Sequence, residues 1–212
     1  MRQAALGFRV HSGWAALVAV VIEKGAPSVA AKQRPHLVET FTYAFRQPYH
    51  TAQRMPLDEG RQFVTRVREE ARRLAYRAIC GVQLDLKEQG IKLTRCGLLL
   101  ASGRPLPVLE KILASHALIH TADGELFREA ILRACARCGL RCESIREKEL
   151  VERARAVLRV QPAMLMRRVT ELGRPFSAPW SQDEKFAALA AWLALKGVQK
   201  LARKASNNAA TA

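Results

Sequence analysis

The sequence is poor in four things, and three of these scarcities close off a class of protein. Long hydrophobic runs are missing. The run over residues 14–22 reaches less than half of the roughly 20 residues a membrane helix requires, and only Arg2 precedes the first strand-like stretch. Neither a bilayer span nor a secretory leader is therefore expected. Aromatic residues make up only 6% of the chain and do not interleave with its basic segments, which argues against a platform for stacking single-stranded bases. Acidic residues are scarce, with 19 Asp and Glu against 35 Lys and Arg. Cysteine is also sparse and odd in number, at five. Without a leader, this points to free thiols in a reducing compartment and a cytoplasmic location.

What is present describes an ordinary globular chain. Its 212 residues, 49% apolar and 25% charged, suffice for one domain with a substantial core. A single α/β domain is expected over residues 1–203, with a small, polar, flexible tail over 204–212. The formal charge of +16 draws the chain toward polyanions, nucleic acid before anionic membrane. The excess falls in residues 61–104 and 151–212, while 105–150 is balanced.

Periodicity supplies the elements. Leu6, Phe8 and Val10 alternate with Gly7, Arg9 and His11, then Ser12-Gly13 makes a turn, and 14–22 continues as a buried strand. Gly25, Pro27 and Pro35 suggest a loop, and the alternation over 36–45 predicts a third strand. From Asp58 to Lys87 apolar residues recur at helical spacing, and Gly90 stops the helix. A buried fourth strand is expected over 92–102 and a short helix over 108–117. A second helix, capped by Thr121, should run to Cys138. A fifth strand at 141–145 and helices over 147–158 and 162–172 follow, with Pro162 in a first turn. Ser181-Gln-Asp-Glu184 matches a capping box that opens a last helix. Three antiparallel strands leading into β-α-β crossovers make a mixed five-stranded sheet with helices on both faces, the order of the ribonuclease H-like fold.

Particular residues strengthen that reading. Gly7-Phe-Arg-Val-His-Ser-Gly-Trp-Ala15 resembles the first hairpin of Holliday-junction resolvases of the RuvC type, and Asp183-Glu-Lys-Phe-Ala-Ala-Leu-Ala190 resembles their last helix. The segments QPYHTA (47–52) and SHALIHTADGELFREA (115–130) also resemble stretches of bacterial proteins with no assigned function. The resemblance implies a two-metal nuclease site, which needs three or four converging carboxylates. This chain departs from that pattern. Arg9 aligns with the first-strand Asp, the fourth strand ends in Leu100-Ala-Ser102, and only Asp183 and Glu184 remain, one of them engaged in the capping box. The site is expected to be degenerate.

Other residues could carry chemistry. His116 and His120, four apart, would share a helix face, and Glu125 could join them as a base or a His₂-carboxylate site. Alternatively all three could cap and satisfy a kinked helix junction at Thr121. Tyr49 and His50, on the expected loop after the third strand, are ligand-contact candidates or edge plugs. Cys135-x₂-Cys138-x₃-Cys142 lacks a nearby fourth ligand and reads as core packing. Arg61, Arg68, Arg72 and Arg73, with Arg9, are the nucleic-acid-binding candidates. Glu69 and Glu70 could instead make the helix face an ordinary ion-paired one.

The leading expectation is a non-catalytic module that binds structured DNA or RNA, with no cofactor, no metal and no membrane partner; a homo-oligomer is allowed. A hydrolase or phosphate-handling enzyme using His116, His120 and Glu125 is the alternative. A scaffold for an acidic protein is a third. Convergence of His50 with His116 or His120 in one open cleft would favour the enzyme.

Overall fold

A computed structural model describes residues 2–101 and 105–209, with side chains up to residue 196. Strand β1 (Arg2–His11) turns at Ser12-Gly13 into β2 (Trp14–Glu23), and β3 (Ala26–Gln33) follows. Short helices α1 (Tyr43–Arg46) and α2 (Pro48–Ala52) lead to α3 (Leu57–Glu88) and β4 (Ile91–Leu100). Then come α4 (Leu109–Leu113), α5 (His116–Arg137) and β5 (Arg141–Arg146). A 3₁₀ turn at Glu147–Glu149 precedes α6 (Leu150–Leu158), α7 (Pro162–Glu171) and α8 (Gln182–Ala209). The sheet order is β3-β2-β1-β4-β5. β1 pairs antiparallel with β2, and β2 with β3; β1 and β4, and β4 and β5, are parallel. This is the mixed sheet of the ribonuclease H-like fold. Among the described residues no helix is long and apolar enough to cross a membrane.

The third strand corrects the sequence reading. It lies at Ala26–Gln33, ahead of the expected 36–45, which instead contains an isolated bridge from His36 to Trp14 and the start of α1. Lys24 and Gly25 both take positive φ, 47° and 82°, the conformation of a two-residue hairpin turn. Pro27 is tolerated because β3 pairs only with β2 and its other side is an edge. The strand escapes pattern reading because its interior positions are all half-buried, with no alternation.

Both faces of β1 are covered, and Ala4 to Phe8 are buried without a break. On one face lie α3 and α5, through Val67, Ala71, Ile79, Phe127 and Ile131. On the other lie α6, α7 and α8, through Leu150, Leu165, Leu189 and Leu193. α8 sits so close to the sheet that a Cβ on Gly7 would meet the Ala187 carbonyl oxygen at 1.7 Å, and one on Gly97 the Ala190 oxygen at 2.5 Å. The alanines 187, 188, 190 and 191 allow that approach.

Helix α5 is the second correction. It runs unbroken from His116, and the expected break at Thr121 does not occur. The Thr121 hydroxyl donates to the Ala117 carbonyl one turn back, at 3.0 Å, so it is used inside the helix and not as a cap. The short helix expected over 108–117 accordingly ends at Leu113, and 116–117 belong to α5. The tail expected from residue 204 overlaps the end of α8; its side chains, and residues 210–212 altogether, lie outside the described residues, as do Ser102 and Gly103 at the expected end of β4.

Candidate functional site

Two polar clusters lie near the carboxyl end of β1, the edge where open α/β sheets hold ligands. The first is built on Arg9. Its guanidinium donates from Nε and Nη2 to both oxygens of Glu147, at 2.9 and 2.6 Å, and from Nη1 to Asp183 at 2.5 Å. His11 Nε2 lies 2.8 Å from the same Asp183 oxygen. Arg34 donates to Glu184 at 2.5 Å and lies 3.6 Å from Asp183. Glu184 is fully buried, and it also accepts the Ser181 amide at 2.8 Å and the Ser181 hydroxyl at 2.9 Å. This confirms the pairing of Ser181 with Glu184 read as a capping box.

Charge matching in this cluster is tight. Burial works to raise the Asp183 carboxyl, but His11 and Arg9 outweigh it and hold the group below its usual range. Burial acts likewise on Glu184, and Arg34 with Ser181 overcomes it. Bonding to Glu147 raises Arg9 further above its ordinary value. Glu147 was not among the sequence candidates. It follows β5 directly, and only the parallel pairing of β4 with β5 brings it alongside Arg9. Three carboxylates therefore converge here, as a two-metal site would need, but two guanidinium groups fill the space between them.

The second cluster joins α2 to the start of α5. The side chain of Asp123 is buried. Its Oδ1 accepts the Tyr49 amide at 2.7 Å, and its Oδ2 accepts from His50 Nδ1 at 2.5 Å. Burial raises the Asp123 carboxyl above its ordinary value despite those two donors. The other side of the His50 ring meets His116 and His120 edge-on, at centroid distances of 5.5 and 4.5 Å. His120 Nε2 lies 3.0 Å from His116 Nε2. His120 also borders a cleft of 390 Å³ lined by His11, Ser12, Gln47 and Arg128. The three histidines thus converge, and His120 alone of them lines the cleft.

Glu125 is not part of it. At about 100° per residue it lies roughly 140° around the helix from His120, and Arg128 holds it at 3.1 Å. Asp123, three residues after His120, shares the histidine face instead. Tyr49 is only 4% exposed, so its ring belongs to the core, and its hydroxyl accepts from Arg68 at 3.1 Å.

The α3 arginines form two stripes. Arg61, Arg68 and Arg72 turn toward α4, α2 and α5, where Arg61 pairs with Glu110 at 2.5 Å and Arg72 grips Glu129 with two donors at 3.0 and 2.6 Å. Arg66, Arg73 and Arg77 lie on the other stripe. Arg73 reaches Glu39 at 2.7 Å, and Arg66 lies over Phe63 and Phe45. Among the described residues Arg66 and Arg77 have no carboxylate partner. The cysteine run divides: Cys138 meets Cys80 at 3.4 Å, while Cys135 and Cys142 gather with Cys96, two of those three being buried.

Comparison with known proteins bears on the fold. The chain superposes on T. thermophilus RuvC in complex with a Holliday junction substrate with a TM-score of 0.53 and 10% identity, covering 93% of this chain and 96% of the other. Against a second Thermus thermophilus RuvC structure the TM-score is 0.50 and the identity 12%, with the same coverage. No protein-family model matches the chain, and no curated protein does. At these identities the likeness establishes a ribonuclease H-like architecture of the RuvC kind.

Proposed function

We propose that this ribonuclease H-like chain binds structured nucleic acid, DNA or RNA, and does not cut it. The observation that carries the reading is the Arg9 cluster. Glu147, Asp183 and Glu184 already have cations bonded to them, and a Mg²⁺ ion placed among them would have to displace Arg9 or Arg34 against direct repulsion. Binding is supported by the charge of +16 and by the fold shared with a resolvase whose structure includes its junction substrate. The exposed stripe of α3 supplies the phosphate contacts, chiefly through Arg66 and Arg77, which have no carboxylate partner among the described residues.

The test uses labelled duplex DNA, four-way junction DNA and structured RNA at low salt. The chain should bind and, with Mg²⁺ or Mn²⁺, release no cleavage products. Absence of binding to all three would sink the binding reading. Robust metal-dependent cleavage abolished by Asp183→Asn would sink the non-cutting one. One observation favours a second reading, a phosphate-handling enzyme: the convergence of His50, His116 and His120. Its carboxylate is Asp123, in place of Glu125.

A further inference from the structure

We propose that His50, His116 and His120 form a binding site for a single divalent cation of the zinc class, with Asp123 positioning His50 from behind. The inference does not depend on nucleic-acid binding, and its test does not involve nucleic acid.

The geometry begins with the ring nitrogens. One from each histidine lies within 4.8 Å of the other two, and the His116–His120 pair is at 3.0 Å. Nitrogens bound to one metal at 2.0–2.1 Å stand about 3.0–3.4 Å apart, depending on coordination geometry. Small side-chain rotations would therefore close the set around an ion. Rings in edge-to-face arrangement, with interplanar angles of 70–87°, bring the nitrogens together without stacking the ring faces.

Hydrogen bonding points the same way: the facing Nε2 atoms of His116 and His120 can make at most one bond with each other. A cation that accepts a lone pair from each ring satisfies all three. His116 and His120 are one helical turn apart on α5, whose unbroken start is what aligns them.

The support behind the rings is of the kind metal-binding histidines use. A ligating imidazole usually donates its second ring nitrogen to a carboxylate, which fixes its tautomer and orientation. His50 does so at Nδ1, and this leaves Nε2 for the ion. Asp123 is itself held by the Tyr49 amide. Asp123 thus satisfies the Tyr49 amide with one oxygen and fixes the His50 ring with the other.

Access and an open position complete the site. His116 and His120 are exposed, so an ion can enter from solvent. Three protein ligands leave at least one coordination position for water or an anion. The adjoining cleft contains Arg128, whose Nε is buried without a partner. An anion bound at that position is the ligand class the site fits.

The test titrates Co²⁺ and Zn²⁺ into the chelator-treated, reduced full-length chain, reading cobalt absorption and calorimetric stoichiometry. We expect one Co²⁺ per chain, no thiolate-to-cobalt band, and displacement by Zn²⁺. Affinity should fall at least ten-fold in His116→Ala and in His120→Ala, and about 10–100-fold in Asp123→Asn. His36→Ala and Cys142→Ser should bind as the parent does. The two exposed histidines can be removed without unfolding the chain, and melting temperatures verify this. Failure of the parent to bind either ion would overturn the proposal. Binding that survives the double substitution at 116 and 120 would do so as well. A thiolate band that disappears in Cys142→Ser would move the site to the cysteine cluster and equally refute the assignment.

Discussion

Asp183 and Glu184 set how the molecule responds to acid. Burial opposes the ionisation of both, but His11 and Arg9 around Asp183, and Arg34 and Ser181 around Glu184, outweigh it and hold both carboxyls below their ordinary values. A depressed carboxyl stabilises the fold fully above its unfolded value, about 3.9 for Asp and 4.3 for Glu. That stabilisation is lost as pH falls through the folded value. Urea midpoints should therefore be level above about pH 5 and fall steeply below about pH 4. The double variant Asp183→Asn, Glu184→Gln should begin less stable at about pH 6 and show a flatter acid limb. Asp123, raised by burial, acts with the opposite sign and is unchanged in that variant. An acid limb identical in parent and variant would mean that the cluster carries none of the linkage.

Between elements, two contacts have opposite characters. Gly7 is required by the approach of α8 to β1, and a methyl there would meet the Ala187 carbonyl oxygen. Gly7→Ala should cost about 3 kcal/mol, the upper end of the usual penalty for overpacking. Gly81 in α3 has nothing within 4 Å of its would-be Cβ, so Gly81→Ala should stabilise by about 0.5–1 kcal/mol through helix propensity. Thermal melts of both variants decide the matter. Arg72 ties α3 to α5 by a two-pronged pair with Glu129, whereas Arg77 has no carboxylate partner among the described residues. Arg72→Ala should cost about 1 kcal/mol, given its partial exposure, and Arg77→Ala close to nothing. At this scale the sequence was legible where local pattern and tertiary role agree: the first hairpin, the helical period of α3, and the cap at Ser181. It misled at β3, where an edge strand tolerates Pro27 and shows no alternation. It also misled at Thr121, where a good cap residue serves inside a helix. The i, i+4 spacing exposed His116 and His120, but His50 and Asp123 lie 73 residues apart and meet only because α2 packs on α5.

Across the whole molecule, the +16 charge is not all available to a polyanion. Arg9 and Arg34 are bonded to Glu147, Asp183 and Glu184, while Arg61, Arg72 and Arg73 have Glu110, Glu129 and Glu39. What remains is patchy, and on α3 it is concentrated on Arg66 and Arg77, on the stripe that Arg73 shares while paired to Glu39. A phosphate backbone laid along that stripe releases condensed counterions, so the logarithm of the binding constant should fall linearly with the logarithm of salt concentration. The slope is about −0.9 per duplex phosphate neutralised, and a footprint of 6–10 phosphates loses about 10³–10⁵ in affinity between 50 and 200 mM salt. Sequence preference should be weak where these arginines meet phosphates, because phosphate contacts carry no sequence information. Replacing Arg66 and Arg77 by Ala should weaken binding for every sequence and lower the slope by about two, one for each phosphate that is no longer neutralised. Replacing Arg61 and Arg72 should change the slope little, because their charge is already matched within the fold. Equilibrium titrations over a series of salt concentrations separate these cases. Equal effects from the two sets would place the binding surface elsewhere on the molecule, and a slope unaffected by either would remove α3 from it.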